Sequence, residues 1–172
     1  MLERIWSGWR AAYVSGAPVR NASAADPAAS TAGSVFSQLV NSGKPDTETH
    51  IVHRGDTCFV IVNIFPYTPG HILVVPFREV ADLDGLSPDE TTELWATVTA
   101  ATGVLRHVYN PDGLNIGLNL GRPAGGSIPE HLHVHVVPRW TGDSNFMSSV
   151  ANTQTLPESL GATAAKIRDA WP

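Results

Sequence analysis

His131-Leu-His-Val-His-Val-Val-Pro138 constrains this chain more than any other stretch. Its polar and apolar residues alternate, the pattern of a strand with one face in a core. Residues two apart share a face, so the imidazoles of His131, His133 and His135 point one way. Leu132, Val134 and Val136 point the other. A row of imidazoles is expensive to bury and unnecessary for folding, so the histidine face is expected to lie outside the core. Three readings are open: a plain polar outer face, a metal site, or a site of nucleophilic or acid–base chemistry. Three imidazoles in line on one flat strand converge poorly on a tetrahedral ion. A neutral imidazole nitrogen, in contrast, can attack phosphorus if its other nitrogen is held by a hydrogen bond that fixes the tautomer. The arrangement favours this last chemistry.

The rest of the chain reads as one domain around that strand, within 172 residues. Leu2, Ile5, Trp6, Trp9 and Tyr13 fall at helical spacing, so residues 1–15 are expected to form a helix. Residues 16–34 are rich in Gly, Ala, Pro and Ser and read as a mobile loop. The block 16–47 closes with a helical turn carrying Val35, Phe36, Leu39 and Val40. Thr49–His53 and Thr57–Phe65 are β-rich and flank Arg54-Gly-Asp56, a hairpin signal. His71–Pro76 is a nearly continuous apolar run, expected as a central strand. Ser87-Pro-Asp-Glu90 is a helix start, with Ser87 as N-cap and Glu90 completing a capping box. Leu94, Val98, Ala101 and Leu105 mark one face of that helix, which ends near Tyr109. Leu114–Leu120 and His131–Val137 read as strands. In the block 141–172, a tail leads to a terminal helix over Leu156–Trp171. This order predicts an α+β fold, an antiparallel sheet of about five strands with helices packed against it.

Two further groups gather around the histidines. Gly121-Arg-Pro-Ala-Gly-Gly-Ser127 leads into the strand; its glycines let backbone N–H groups approach an anion, and Ser127 adds a hydroxyl. Asn63 and Pro69-Gly-His71 matter if the sheet brings them beside the triad. Sixteen acidic against eleven basic side chains give a net charge of −5. That argues against a general polyanion binder, so no nucleic-acid partner is expected. One cysteine, Cys58, excludes a disulfide framework and a Cys-rich metal site. No run is long and apolar enough for a membrane span, and the N-terminus lacks the form of a signal peptide. The default compartment is the cytoplasm.

His131-Leu-His-Val-His-Val-Val resembles the signature of the histidine-triad (HIT) superfamily. The resemblance extends in order over about 48–140. It takes in Asn63-Ile-Phe-Pro-Tyr-Thr-Pro-Gly-His71, Leu73-Val-Val-Pro76, Arg78, Asn115-Ile-Gly-Leu-Asn119 and Ala124-Gly125. It implies an α+β nucleotide hydrolase or nucleotidyl transferase acting on a small nucleotide, usually as a homodimer or higher homo-oligomer. It implies that His133 is the nucleophile at the α-phosphorus, with His131 and His135 flanking it. Asn63 and His71 would contact the ribose and the catalytic strand, and Asn119 the phosphate or leaving group. The sequence departs from common members in two places. Gly126 stands where they carry Gln, with one extra residue before the first histidine. Ser34-Val-Phe-Ser37 stands where many bacterial members carry the Cys-x-x-Cys half of a zinc site, so neither a metal nor another cofactor is expected. The Gly126-Ser127 variant, Asn119 and Pro138-Arg-Trp140 are similar to the bacterial diadenosine tetraphosphate phosphorylases of the superfamily. That similarity implies that inorganic phosphate is the acceptor, held by Asn119, Gly126 and Ser127, with Trp140 in the substrate-binding set. It also implies ATP and ADP as products. A hydrolase using water is the alternative; a binding module with lost chemistry and an enzyme for another nucleotide are further ones.

Overall fold

The structure, a computed structural model, describes residues 33–143 and 158–172. The helix expected over 1–15, the loop over 16–34 as far as residue 32, and the tail over 144–157 lie outside the described residues. Helix α1 (Val35–Val40) is followed by a single turn, α2 (Asp46–Thr49). Three strands follow: β1 (Ile51–Arg54), β2 (Cys58–Val62) and β3 (Ile72–Pro76). Helix α3 (Pro88–Tyr109) leads to β4 (Gly113–Gly117), β5 (Val134–Arg139) and α4 (Leu160–Asp169). The strands form one antiparallel sheet in the order β1-β2-β3-β5-β4. The α+β architecture with five antiparallel strands is the one the sequence predicts.

β2 and β3 are buried along their whole length because both faces of the sheet are covered. On one face, Val60, Val62, Val74, Val134 and Val136 pack against Leu94, Val98, Ala101 and Leu105 of α3 and Ile167 of α4. On the other, Phe59, Ile61, Leu73 and Val75 pack beneath Phe36 of α1. Burying the large aliphatic side chains contributes roughly 1.5–3 kcal/mol each before the entropy of ordering them is counted. Helix α3 starts as its sequence dictates. The Ser87 hydroxyl accepts from the Glu90 N–H, and the Glu90 carboxylate accepts from the Ser87 N–H. The same carboxylate receives Arg78, which leaves the end of β3, so the cap also ties the helix to the sheet.

Several boundaries differ from the sequence reading, each for a local reason. Thr49 lies in α2, and His50 takes a left-handed conformation that turns the chain into β1. β2 ends at Val62 and β4 at Gly117; Leu118 and Leu120 leave the ladder and pack on the helix-side core. β5 begins at Val134 rather than His131, although the alternation of faces continues upstream. The ladder to β3 stops where Pro76 has no N–H to donate, and the Pro76 carbonyl is taken by the His131 ring instead.

Gly70 precedes β3 with φ +77°, and a Cβ placed there would lie 2.7 Å from Cε2 of Tyr109. The last residue of α3 therefore closes the turn that delivers His71. Gly70→Ala is expected to lower stability by about 2–4 kcal/mol, from left-handed strain plus overpacking. Urea unfolding measures this, and an unchanged midpoint would show that the turn yields freely.

Candidate active site

The alternation read from the sequence is present in the fold. Leu132, Val134 and Val136 enter the helix-side core. The imidazoles lie on the opposite face: His135 sits across from Leu73, and Phe36 meets the rings of His131 and His133 at 5.5 and 5.2 Å between centroids. Their expected exposure is not found. His71 and His131 are 0 % exposed and His133 is 6 % exposed. Burial is tolerable here because a buried polar group can be hydrogen-bonded, and most of these ring nitrogens are.

The partners assign the protons of the neutral rings. The Pro76 carbonyl can only accept, so His131 donates its Nε2–H to it at 2.8 Å. His131 Nδ1 is then bare and accepts the Ser34 hydroxyl at 2.5 Å. The His131 carbonyl in turn accepts Nδ1–H of His133 at 2.8 Å, which leaves the lone pair of His133 on Nε2. A parallel chain runs through the other two rings. The Tyr67 N–H donates to His71 Nδ1 at 3.1 Å. His71 Nε2–H then donates to His135 Nδ1 at 2.9 Å, and the His135 proton sits on Nε2. That Nε2 is buried and has no partner among the described residues. The centroids of His133 and His135 are 5.0 Å apart. A bare imidazole nitrogen thus lies beside an N–H donor with no partner among the described residues, a combination able to attack phosphorus while stabilising an oxygen on it.

Burial keeps these rings neutral. It pushes His71 down to about 3, helped by the neighbouring His135 and His133. It pushes His135 to about 4, helped by His133. His131 and His133 are also lowered by burial, partly offset by the carbonyls that accept from them. Glu79 is the nearby charge. Its carboxylate accepts the Ser34 N–H at 2.6 Å and the Ser37 hydroxyl at 2.9 Å, and these bonds hold it below the usual carboxylate range. The two serines at the Cys-x-x-Cys position therefore form, with Glu79, a hydrogen-bonded clasp behind His131. Among the described residues no group of three or more His, Cys, Asp or Glu side chains is arranged to hold a metal ion.

The remaining predicted residues divide. His71 joins the triad. Asn63 stands 3.4 Å from both ring nitrogens of His71, and its Oδ1 accepts the Phe65 N–H at 3.0 Å. Asn119 lines a cleft of about 350 Å³ with His135 and Tyr67. Gly126 is buried, and a Cβ there would lie 3.3 Å from the Asn119 carbonyl oxygen and 3.4 Å from that of Gly121. Its lack of a side chain lets the loop close on itself, a packing reason beside the expected role of making room for phosphate. Ser127 is exposed. Trp140 is not brought to the histidines. It follows β5 at the end away from His135, and its ring meets Tyr109 edge-on at 6.5 Å. Sequence reasoning missed Ser34, Phe36 and Tyr67 as neighbours of the triad. Only the position of Ser34 at the head of a helical turn was a signal.

The lowered pKa values give stability a sign. In the unfolded chain each histidine takes a proton near pH 6.5, while in the fold His71 and His135 resist to about 3 and about 4. The unfolded state binds more protons throughout that window. Stability therefore falls as pH drops below 6.5, by about 1.4 kcal/mol per pH unit for each histidine still neutral in the fold. Above pH 6.5 this contribution is flat. Urea unfolding across the window checks it, and a midpoint independent of pH would contradict the neutral assignment.

Comparison with known proteins agrees with this geometry. The HIT domain family matches residues 44–142. The chain is 40% identical over 171 residues, 99% of its own length and 85% of the relative's, to a protein named AP-4-A phosphorylase from Mycobacterium tuberculosis. It is 37% identical over 95 residues to an asymmetrical bis(5'-nucleosyl)-tetraphosphatase from Schizosaccharomyces pombe, covering 55% of this chain and 52% of that one. Among solved structures, a HIT-like protein from Bartonella henselae superposes with a TM-score of 0.66 at 25% identity, over 80% of this chain and 95% of that one. A zinc-bound histidine-triad protein from Mycobacterium smegmatis superposes at 0.64 and 26% identity, over 80% and 92%. With its three histidines on one face of β5 and its upstream extension, the chain belongs to the histidine-triad family.

Proposed function

We propose that this protein is a nucleotidyltransferase that cleaves diadenosine tetraphosphate with inorganic phosphate, giving ATP and ADP through an adenylyl-histidine. The observation that carries the chemistry is the bond from His133 Nδ1 to the His131 carbonyl, which leaves Nε2 free to attack. The choice of substrate and acceptor is supported by the 40% identity, across nearly the whole chain, to a protein named AP-4-A phosphorylase.

His133 Nε2 attacks the α-phosphorus; an N–P bond forms, the P–O bond to the rest of the chain breaks, and ATP leaves. Inorganic phosphate then attacks the same phosphorus, the N–P bond breaks, and ADP is released. His135 Nε2–H is the donor for the phosphoryl oxygens, oriented through His71 by the Tyr67 N–H. Asn119, Gly126 and Ser127 hold the acceptor phosphate. The same reading places the enzyme in the cytoplasm as a homodimer or higher homo-oligomer. Its edge strand β4 exposes Ile116, the kind of edge that a second copy can cover. Among the described residues no helix is long and apolar enough to cross a membrane. The tetraphosphatase relative favours a second reading, in which water takes the place of phosphate.

Products decide between these readings. Turnover of diadenosine tetraphosphate across a phosphate titration is expected to give ADP with ATP, saturating in phosphate. AMP with ATP at saturating phosphate would assign a hydrolase. His133→Ala is expected to lower turnover by about a thousand-fold or more. Near-normal turnover by that variant, shown to be folded by circular dichroism, would remove His133 as the nucleophile. Because burial lowers His133 from its ordinary 6.5, kcat/KM is expected to stay flat down to about pH 6.5 and to fall only below it. An acid limb centred above pH 7 would contradict the neutral nucleophile.

A further inference from the structure

The sheet face that carries His135 continues past the histidines. Val137 and Arg139 follow along β5, and the register sets Gly117 against His135 and Asn115 against Val137. These residues, with Asn119 and Tyr67, line the cleft of about 350 Å³. At roughly 3.3 Å per residue, Arg139 lies about 13 Å along the strand from His135. The cleft therefore begins at an unpaired N–H and ends at a guanidinium, with the side-chain amide of Asn115 between them and that of Asn119 also on its lining. Among the described residues no carboxylate lines it, although the chain carries a net charge of −5.

Arg139 is held with part of its donor set in reserve. Nε and one terminal nitrogen donate to Asp143 at 2.6 and 2.8 Å, and the other terminal nitrogen donates to Asn115 Oδ1 at 2.8 Å. A guanidinium has five N–H groups, so each terminal nitrogen keeps one more. The side chain is 42 % exposed. Asp143 fixes the plane of the fork, and these two remaining N–H groups can donate to a second anion such as a phosphate.

We propose that this cleft receives the departing part of the substrate, a polyphosphate chain with its nucleoside, and that Arg139 and Asn115 select for chain length by meeting a phosphate remote from the transferring one. This rests on the nucleotidyl-transfer reading above. Binding energy from the remote phosphate is available to a tetraphosphate and absent for ADP, whose only leaving group is phosphate itself.

A partial reaction separates the two. In ADP–phosphate exchange, His133 displaces phosphate from ADP to form the adenylyl-histidine, and labelled inorganic phosphate reverses the step, giving labelled ADP. It uses His133 and the acceptor site but no remote phosphate. The variants are Arg139→Gln and Asn115→Asp, the second of which keeps an acceptor for Arg139 while adding a negative charge to the cleft. Both are expected to lower kcat/KM for diadenosine tetraphosphate by about tenfold or more, while exchange stays within about twofold of wild type. An equal fall in both reactions, or no fall in either, overturns the proposal. If wild type shows no exchange and yields AMP from the dinucleotide, it is the phosphate acceptor that has failed. The cleft is then judged by loss on the dinucleotide against hydrolysis of ADP, with the same selective pattern required.

Discussion

Backbone groups decide where the protons of four imidazoles sit. The Pro76 and His131 carbonyls and the Tyr67 N–H are each of fixed polarity, and every ring tautomer follows from them. A neutral histidine has one donor and one acceptor, so a fixed neighbour on one nitrogen determines the other. The sheet has to place those three groups within hydrogen-bond reach. That requirement explains why β3 ends in a proline whose carbonyl faces the triad, and why a tight turn stands before His71. It also explains how a cluster of histidines can sit in a core. Burial favours the uncharged rings, and uncharged rings make an attacking nitrogen available at neutral pH.

The two faces of the sheet answer to different demands. The helix side is packed with Val, Leu and Ala and tolerates no polar row. The opposite side is smaller, built on Phe36, Phe59 and Leu73, and gives way along β5 to imidazoles and then to the open cleft. One strand therefore serves as wall of the core at its even positions and as chemical surface at its odd ones.

Much of this was legible in the residues. Ser87, Pro88 and Glu90 specify the start of α3, and the alternation after His131 specifies which side chains share a face, because both signals are local. The burial of the histidines was not legible, since it depends on Ser34 and Phe36, which meet His131 from 97 and 95 positions away in the chain. Tyr67 was hidden for a different reason: its backbone sets a tautomer, and a backbone amide leaves no mark on residue type. Trp140 lies just past the end of β5, where its ring meets Tyr109 edge-on.

Helix α1 is six residues long, too short to hold together alone in water. Its N-cap, Ser34, spends its hydroxyl proton on His131 while accepting the Ser37 N–H. The helix and the first histidine are therefore a single cooperative unit: fraying of α1 removes the partner of His131 Nδ1 and lifts Phe36 from the rings of His131 and His133. Opening of this small segment admits water to His133 and uncovers the face of β2 and β3 that packs beneath Phe36. The amides of α1 would then exchange with solvent at the rate at which the chemical surface itself becomes wet.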